Sequence, residues 1–266
     1  MEPRTFDVTG RLHLIARMRS GDVTISARES AKASVHVTGE RHADEVSIMC
    51  DASSGGTRLQ VVQRKEGWGF RSRGVHVDVV VPHGSIVDVG TGSGDVTIEG
   101  RAAELRLQSG SGDASVASVD GRARLRNASG DVRVDTVGGD LVITTASGEI
   151  EVGSVAGGFE ARTASGDIEV GATDGPARAV SASGDITIGS AGGDVHLRSV
   201  SGDIEVGVPS GARVWFDVSS TSGDTRSDLD PGDGRDPADA HFEIHATSVS
   251  GDVHLRRAPA RDTVPA

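Results

Sequence analysis

One tripeptide returns every 18 residues, seven times without a slip: Ser93-Gly94-Asp95, Ser111-Gly112-Asp113, Ser129-Gly130-Asp131, Ser147-Gly148-Glu149, Ser165-Gly166-Asp167, Ser183-Gly184-Asp185 and Ser201-Gly202-Asp203. A fixed period of this length marks a repeat architecture, in which each unit covers the apolar face of the next. With the Ser as position zero, positions 3 and 5 are apolar, as in Val96 and Ile98 or Ile168 and Val170, and the residue between them is usually polar. Only Ala114, beside Val116, weakens that column. Positions 12 and 14 repeat the alternation in Leu105 and Leu107 or Val195 and Leu197, and less tightly in Phe159 and Ala161 or Ala177 and Ala179. Alternation at period two is the pattern of a half-buried strand. Turns such as Gly138-Gly139 and Gly192-Gly193 separate the two halves. Glycine at that density excludes a helix.

One such coil cannot fold alone. It buries about four aliphatic side chains worth ~1.5–3 kcal/mol each. Ordering its backbone costs on the order of 20–30 kcal/mol. Stacking in register pairs strand with strand at ~4.8 Å and shares the deficit among neighbours. The expected fold is all-β: a single-stack, right-handed parallel β-solenoid of the β-helix or β-roll kind, with two short strands in each 18-residue coil. Irregular β-rich coils and a cap are expected over 1–90, regular coils over 91–208, degenerate coils and a cap over 209–257, and a tail over 258–266. Ser20 to Ile25 matches the repeat early, and strands are expected over 34–38, 46–50, 58–63 and 75–81. The polar stretches 63–74 and 230–239 read as loops. Beyond Val206 the period stretches to Ser222-Gly223-Asp224, and the last coil closes at Val253-His254-Leu255.

The ladder Asp95, Asp113, Asp131, Glu149, Asp167, Asp185 and Asp203 carries the chemistry to be explained. Carboxylates stacked at strand spacing repel, so something offsets them. One offset is Ca²⁺, as in Gly-Gly-x-Gly-x-Asp rolls. Here Asp follows Gly directly, so the Gly-x-Asp spacing that wraps the ion is missing. The expectation is a structural turn ladder in which Asp caps the corner, with no metal or cofactor and calcium as the alternative. The residue before the Ser is small in Gly110, Ala128, Ala146, Ala164 and Ala182, which suits a tight inward corner.

No catalytic residue stands out. His241 and His245 are separated by ~13 Å if the segment is a strand, and the histidines read as isolated surface groups. There is no His-Glu-x-x-His, and no Gly-x-Ser-x-Gly elbow opening a helix. Outward Arg106, Arg124, Arg126, Arg162 and Arg198 against Glu151, Glu169 and Glu205 read as a solvated face with small gains per pair.

Composition agrees. Aromatics make up 3%, which a narrow aliphatic solenoid tolerates and a wide globular core does not. A net charge of −12 argues against nucleic acid and anionic membrane as partners, leaving protein as the expected partner. The single Cys50 forms no intramolecular disulfide. The opening Met1 to Asp7 lacks a basic n-region and an apolar h-region, and no stretch approaches the ~20 apolar residues of a membrane span. The expected location is cytoplasmic, or secreted or surface-bound only if the true start lies elsewhere.

Val81-Pro82-His83-Gly84-Ser85 followed by Gly92-Ser93-Gly94-Asp95 and the Ser-Gly-Asp ladder resembles a bacterial β-strand repeat family of unknown function, labelled "putative adhesin" and related to toast-rack domains. The closing patterns Val208 to Gly211, Trp215 to Val218 and Thr247 to Leu255 are similar too, so the resemblance spans roughly 75–257. It implies a β-solenoid-like fold and no catalytic residues. The expected function is therefore a non-enzymatic scaffold or interaction module. The alternatives are a surface adhesin or carbohydrate-binding protein, and, with least support, a β-helix polysaccharide-active enzyme.

Overall fold

A computed structural model describes residues 2–39, 46–53, 55–64, 75–229 and 241–259. The expected loop over 230–239, most of that over 63–74, and the end of the tail lie outside the described residues. Among the described residues there are strands and turns but no helix. The chain divides into two compact units. The first, Met1–Gly139, holds β1 (Arg4–Asp7), β2 (Leu12–Met18), β3 (Val23–Arg28), β4 (Lys32–Thr38), β5 (Val46–Ser53), β6 (Gly56–Gln63), β7 (His76–Pro82), β8 (Ile86–Thr91), β9 (Val96–Ala102), β10 (Glu104–Ser111), β11 (Ala114–Val119), β12 (Ala123–Ser129) and β13 (Val132–Val137). The second, Asp140–Ala266, holds β14 (Leu141–Thr144), β15 (Ile150–Val155), β16 (Phe159–Ser165), β17 (Ile168–Thr173), β18 (Ala177–Ser183), β19 (Ile186–Ala191), β20 (Val195–Ser201), β21 (Ile204–Val208), β22 (Val214–Ser222), β23 (Thr225–Ser227), β24 (Phe242–Ser250) and β25 (Val253–Arg257).

Each unit is a mostly parallel solenoid with two sheet faces around an aliphatic interior. In the first, one face runs β1-β4-β7-β3-β9-β11-β13 and the other β5-β6-β2-β8-β10-β12. In the second, one face runs β15-β17-β19-β21-β25-β23 and the other β14-β16-β18-β20-β24-β22. The alternating residues pack as their period demands. Ile150, Ile168, Ile186, Ile204 and Val253 stack in register as one inward column, and all are buried. Positions 12 and 14 are buried as well, including the small pair Ala177 and Ala179. A fifth inward column, Val119 and Val137 in the first unit and Val155 and Ala191 in the second, adds apolar burial beside the opposite corner.

The ends depart from simple succession. In the first unit β2 pairs with β6 on one side and β8 on the other, and β3 lies between β7 and β9. The chain lays down β2 and β3, adds β6 and β7 outside them, then returns to add β8 and β9 inside. Three strands there run antiparallel to their neighbours: β4 against β7, β1 against β4, and β5 against β6. In the second unit β24 sits between β20 and β22, and β25 between β21 and β23. The coil that closes at Leu255 is therefore not the outermost one; the earlier coil of β22 and β23 is. The inward side of β22 is correspondingly less covered, with Val214 and Val218 half-buried and Phe216 40% exposed.

Candidate functional site

Within each unit, Ser-Gly-Asp corners are hydrogen-bonded to the neighbouring coil through their carboxylates. The Asp22 carboxylate accepts the Asp95 N–H at 3.1 Å, Asp95 accepts that of Asp113 at 2.9 Å, and Asp113 accepts that of Asp131 at 2.9 Å. In the second unit Asp167 accepts the Asp185 N–H at 2.8 Å, Asp185 that of Asp203 at 2.7 Å, Asp203 that of Asp252 at 2.7 Å, and Asp252 that of Asp224 at 2.8 Å. The bonds follow the spatial order of coils, so Asp252 precedes Asp224. These seven carboxylates thus cap the corner of the neighbouring coil rather than their own turn. A row of peptide N–H dipoles aimed at one oxygen of each carboxylate offsets the repulsion between them. Glu149 stands at the same position of its coil.

A second polar column supports the corner from inside. Two residues before each Ser stand Thr91, Asn127, Thr145, Thr163, Ser181, Ser199 and Ser248, all buried, and the less buried Ser109. Thr145 and Thr163 donate to the carbonyls of Ser147 and Ser165 at 3.1 and 3.0 Å, and Ser199 and Ser248 donate to Gly184 and Gly202 at 3.2 and 3.0 Å. This column was visible in the sequence as a position that is never apolar within the repeat. The small residues Gly110, Ala128, Ala146, Ala164 and Ala182, expected inward, point outward instead. The alternation that sends their polar neighbours in must send them out.

The arginines and glutamates singled out in the sequence do not share a face of the second unit. Arg162 and Arg198 lie on β16 and β20, whereas Glu151, Glu169 and Glu205 lie on β15, β17 and β21, on the other face of the second unit. The expected pairs between these sets cannot form. Arg162 instead pairs with Glu160 on its own strand at 2.7 Å, and Glu205 with Arg256. In the first unit Arg106, Arg124 and Arg126 share the outer side of β10 and β12, exposed and with no ion-pair partner among the described residues. Arg106 is directly opposite Arg124. Beside them a shallow groove is lined by Arg17, Gly90, Gly92, Gln108, Gly110 and Arg126. Arg17 lies flat over Gly90, its Cδ 3.1 Å from where a Cβ would stand, and holds the Asp88 carboxylate at 2.8 Å.

Strand pairing also brings together histidines that the sequence separates. His241 and His245 do not meet: the His241 Nδ1 accepts the Arg213 N–H at 3.3 Å, while His245 stacks on His196 with ring centroids 4.9 Å apart. Trp215 meets His245 edge-on at 5.3 Å, and Glu243 lies 3.3 Å from its Nε2. On the first unit His36 and His76 lie 3.8 and 3.0 Å from Asp78. His254 is 2.8 Å from Asp228, and this hydrogen bond, with Arg226 beside it, holds the Asp228 carboxyl below the ordinary range. Among the described residues no three such side chains are arranged to hold a metal ion. Burial, reinforced by Asp51, raises the Cys50 thiol above its usual value. What these surfaces offer chemically is binding: exposed guanidinium groups, imidazoles and one indole on rigid sheet faces.

The family model described as Toastrack DUF4097 matches residues 11–170 and again 140–256. A solved "putative adhesin" from Bacteroides fragilis superposes with a TM-score of 0.51 at 13% identity, over 95% of this chain and 95% of that one. A "putative lipid binding protein" from Parabacteroides distasonis gives 0.48 at 15% identity, over 95% and 96%. No curated protein matches the sequence. At such identity the Bacteroides likeness is one of fold.

Proposed function

The chain belongs to the Toastrack DUF4097 family, and we propose that it is a non-enzymatic interaction module whose outer sheet faces carry the contact with its partner. The supporting observation is the arginine group of the first unit. Arg106, Arg124 and Arg126 stand together on one regular sheet face, without ion-pair partners among the described residues. Like charges directly opposite across a sheet are destabilising unless something neutralises them, and a bound anionic partner does so. The repeated carboxylates, by contrast, already spend an oxygen on the corners of their neighbours. The test is a broad hydrolase and lyase screen of purified protein: no turnover is expected, and turnover abolished by a single substitution sinks the proposal.

A second reading, a surface adhesin or carbohydrate binder, draws on the outward Trp215 beside His245 and on the name of the Bacteroides relative. Cell fractionation separates the two. Protein confined to the cytosol removes the surface role and leaves the interaction module standing.

A further inference from the structure

We propose that the arginine-lined groove on the outer face of β2, β8, β10 and β12 binds a linear acidic polysaccharide through its carboxylate or sulfate groups. The proposal rests on the reading of the outer faces as contact surfaces and takes the ligand class of the second reading for this one face. Arg17 and Arg126 flank the groove, Gln108 lies between them, and Gly90, Gly92 and Gly110 form its floor. From β2 to β12 there are three strand spacings, roughly 14 Å. Arg106 and Arg124 continue the same cationic surface at the next row along the strands. Asp88 faces Arg106 from the other side, but its carboxylate is held by Arg17. The guanidinium groups of Arg106, Arg124 and Arg126 therefore offer paired N–H donors to an external anion, the geometry that suits carboxylate and sulfate.

The groove also discriminates among anionic partners. It is open and extends across strands, so it seats a chain rather than a small enclosed ion. Arg17 covers Gly90, but Gly92 and Gly110 leave bare backbone on the rest of the floor, which lets a ring approach closely there, and Gln108 supplies donor and acceptor for neighbouring hydroxyls. A peptide gains less here. β2, β8 and β10 are paired on both sides, so no strand edge is free for it there, and the groove lining adds no aromatic anchor. An anionic bilayer gains less too, since the face carries no exposed apolar wedge and the whole chain is at −12.

The experiment titrates the full chain with polygalacturonate and with heparin, using neutral dextran, polyglutamate and phosphatidylglycerol vesicles as comparisons. Acidic glycans are expected to bind, less tightly as salt rises, with dextran silent. Arg124→Glu with Arg126→Glu should weaken glycan binding at least tenfold with an unchanged melting temperature. Arg124→Lys with Arg126→Lys should retain part of it, and Arg198→Glu in the second unit should change little. No glycan binding, or equal binding by the charge-reversed variant, overturns the proposal. Tighter binding of polyglutamate or vesicles, lost with the same arginines, removes the glycan and leaves the interaction module intact.

Discussion

Gly184 answers to two constraints at once. Its φ is +143°, and a Cβ placed on it would stand 2.2 Å from the Gly166 carbonyl oxygen of the neighbouring coil. A side chain is refused both by the corner and by the stack. Gly184→Ala should therefore cost at least ~2 kcal/mol, since strained φ alone is worth about 1–3 and the steric overlap adds to it. Asp185 next to it is a milder case. Asp185→Asn keeps an oxygen for the Asp203 N–H and should be nearly silent, whereas Asp185→Ala should lose ~1–2 kcal/mol. Thermal melts of the three variants check the order; an alanine at 184 that melts like the parent refutes the corner geometry. Asp228 gives a prediction in pH. Its pKa is lowered by the His254 hydrogen bond, so its contribution to stability is present above the ordinary carboxylate range and is lost as pH falls through the lowered value. In His254→Ala the Asp228 carboxyl should titrate closer to its ordinary value, read by carbon NMR of the side chain; an unchanged titration removes the pair as the cause.

Elements show where sequence legibility ends. The strands of the regular coils could be read because burial imposes period two, and the aliphatic columns fall where the alternation puts them. The order of the terminal coils was legible only in one column. Positions 3 and 5 are Val253 and Leu255 in the coil of β24 and β25 but Thr225 and Ser227 in the coil of β22 and β23, so the coil with the polar pair is the one that can lie outermost. The shared corner alone does not say which coil rests on which. The approach of His196 to His245 depends on that order, since it needs β24 to enter beside β20. That the named arginines and glutamates cannot pair was legible and was missed: Arg106 and Arg162 fall at positions 13 and 15 and Glu151 at position 4, on strands of opposite faces, although each face carries both signs, as Glu160 at position 13 and Arg133 at position 4 show. Amide exchange tests the coil order. β24 and β25, bonded on both sides, should be better protected than β22 and β23, although they lie nearer the C-terminus. Simple succession requires the reverse, and finding the reverse overturns the interleaved end.

At the scale of the whole molecule, the acidic ladder raises the question of whether the fold depends on a metal. A chain at −12 attracts divalent cations unspecifically, so the test needs a Mg²⁺ control at matched ionic strength. A Ca²⁺ roll binds the ion only when folded, and each site at a hundred times Kd would add about 2.7 kcal/mol. For a chain of this size ~1 kcal/mol moves the melting temperature by about 2–4 °C, so even one specific site would shift it by more than ~5 °C, and several would make folding depend on the metal. The corners argue for the opposite outcome. In the steps from Asp22 to Asp131 and from Asp167 to Asp224 one carboxylate oxygen already accepts a peptide N–H at 2.7–3.1 Å, and a cation drawing that oxygen away would have to leave the N–H unpaired. The expected result is the same circular dichroism spectrum and nearly the same melting temperature in millimolar Ca²⁺, in Mg²⁺ and in chelator. Loss of the β signal in chelator alone, restored by Ca²⁺ and not by Mg²⁺, would make calcium the organising cofactor and demote the hydrogen-bonded corner to a feature of the metal-free state.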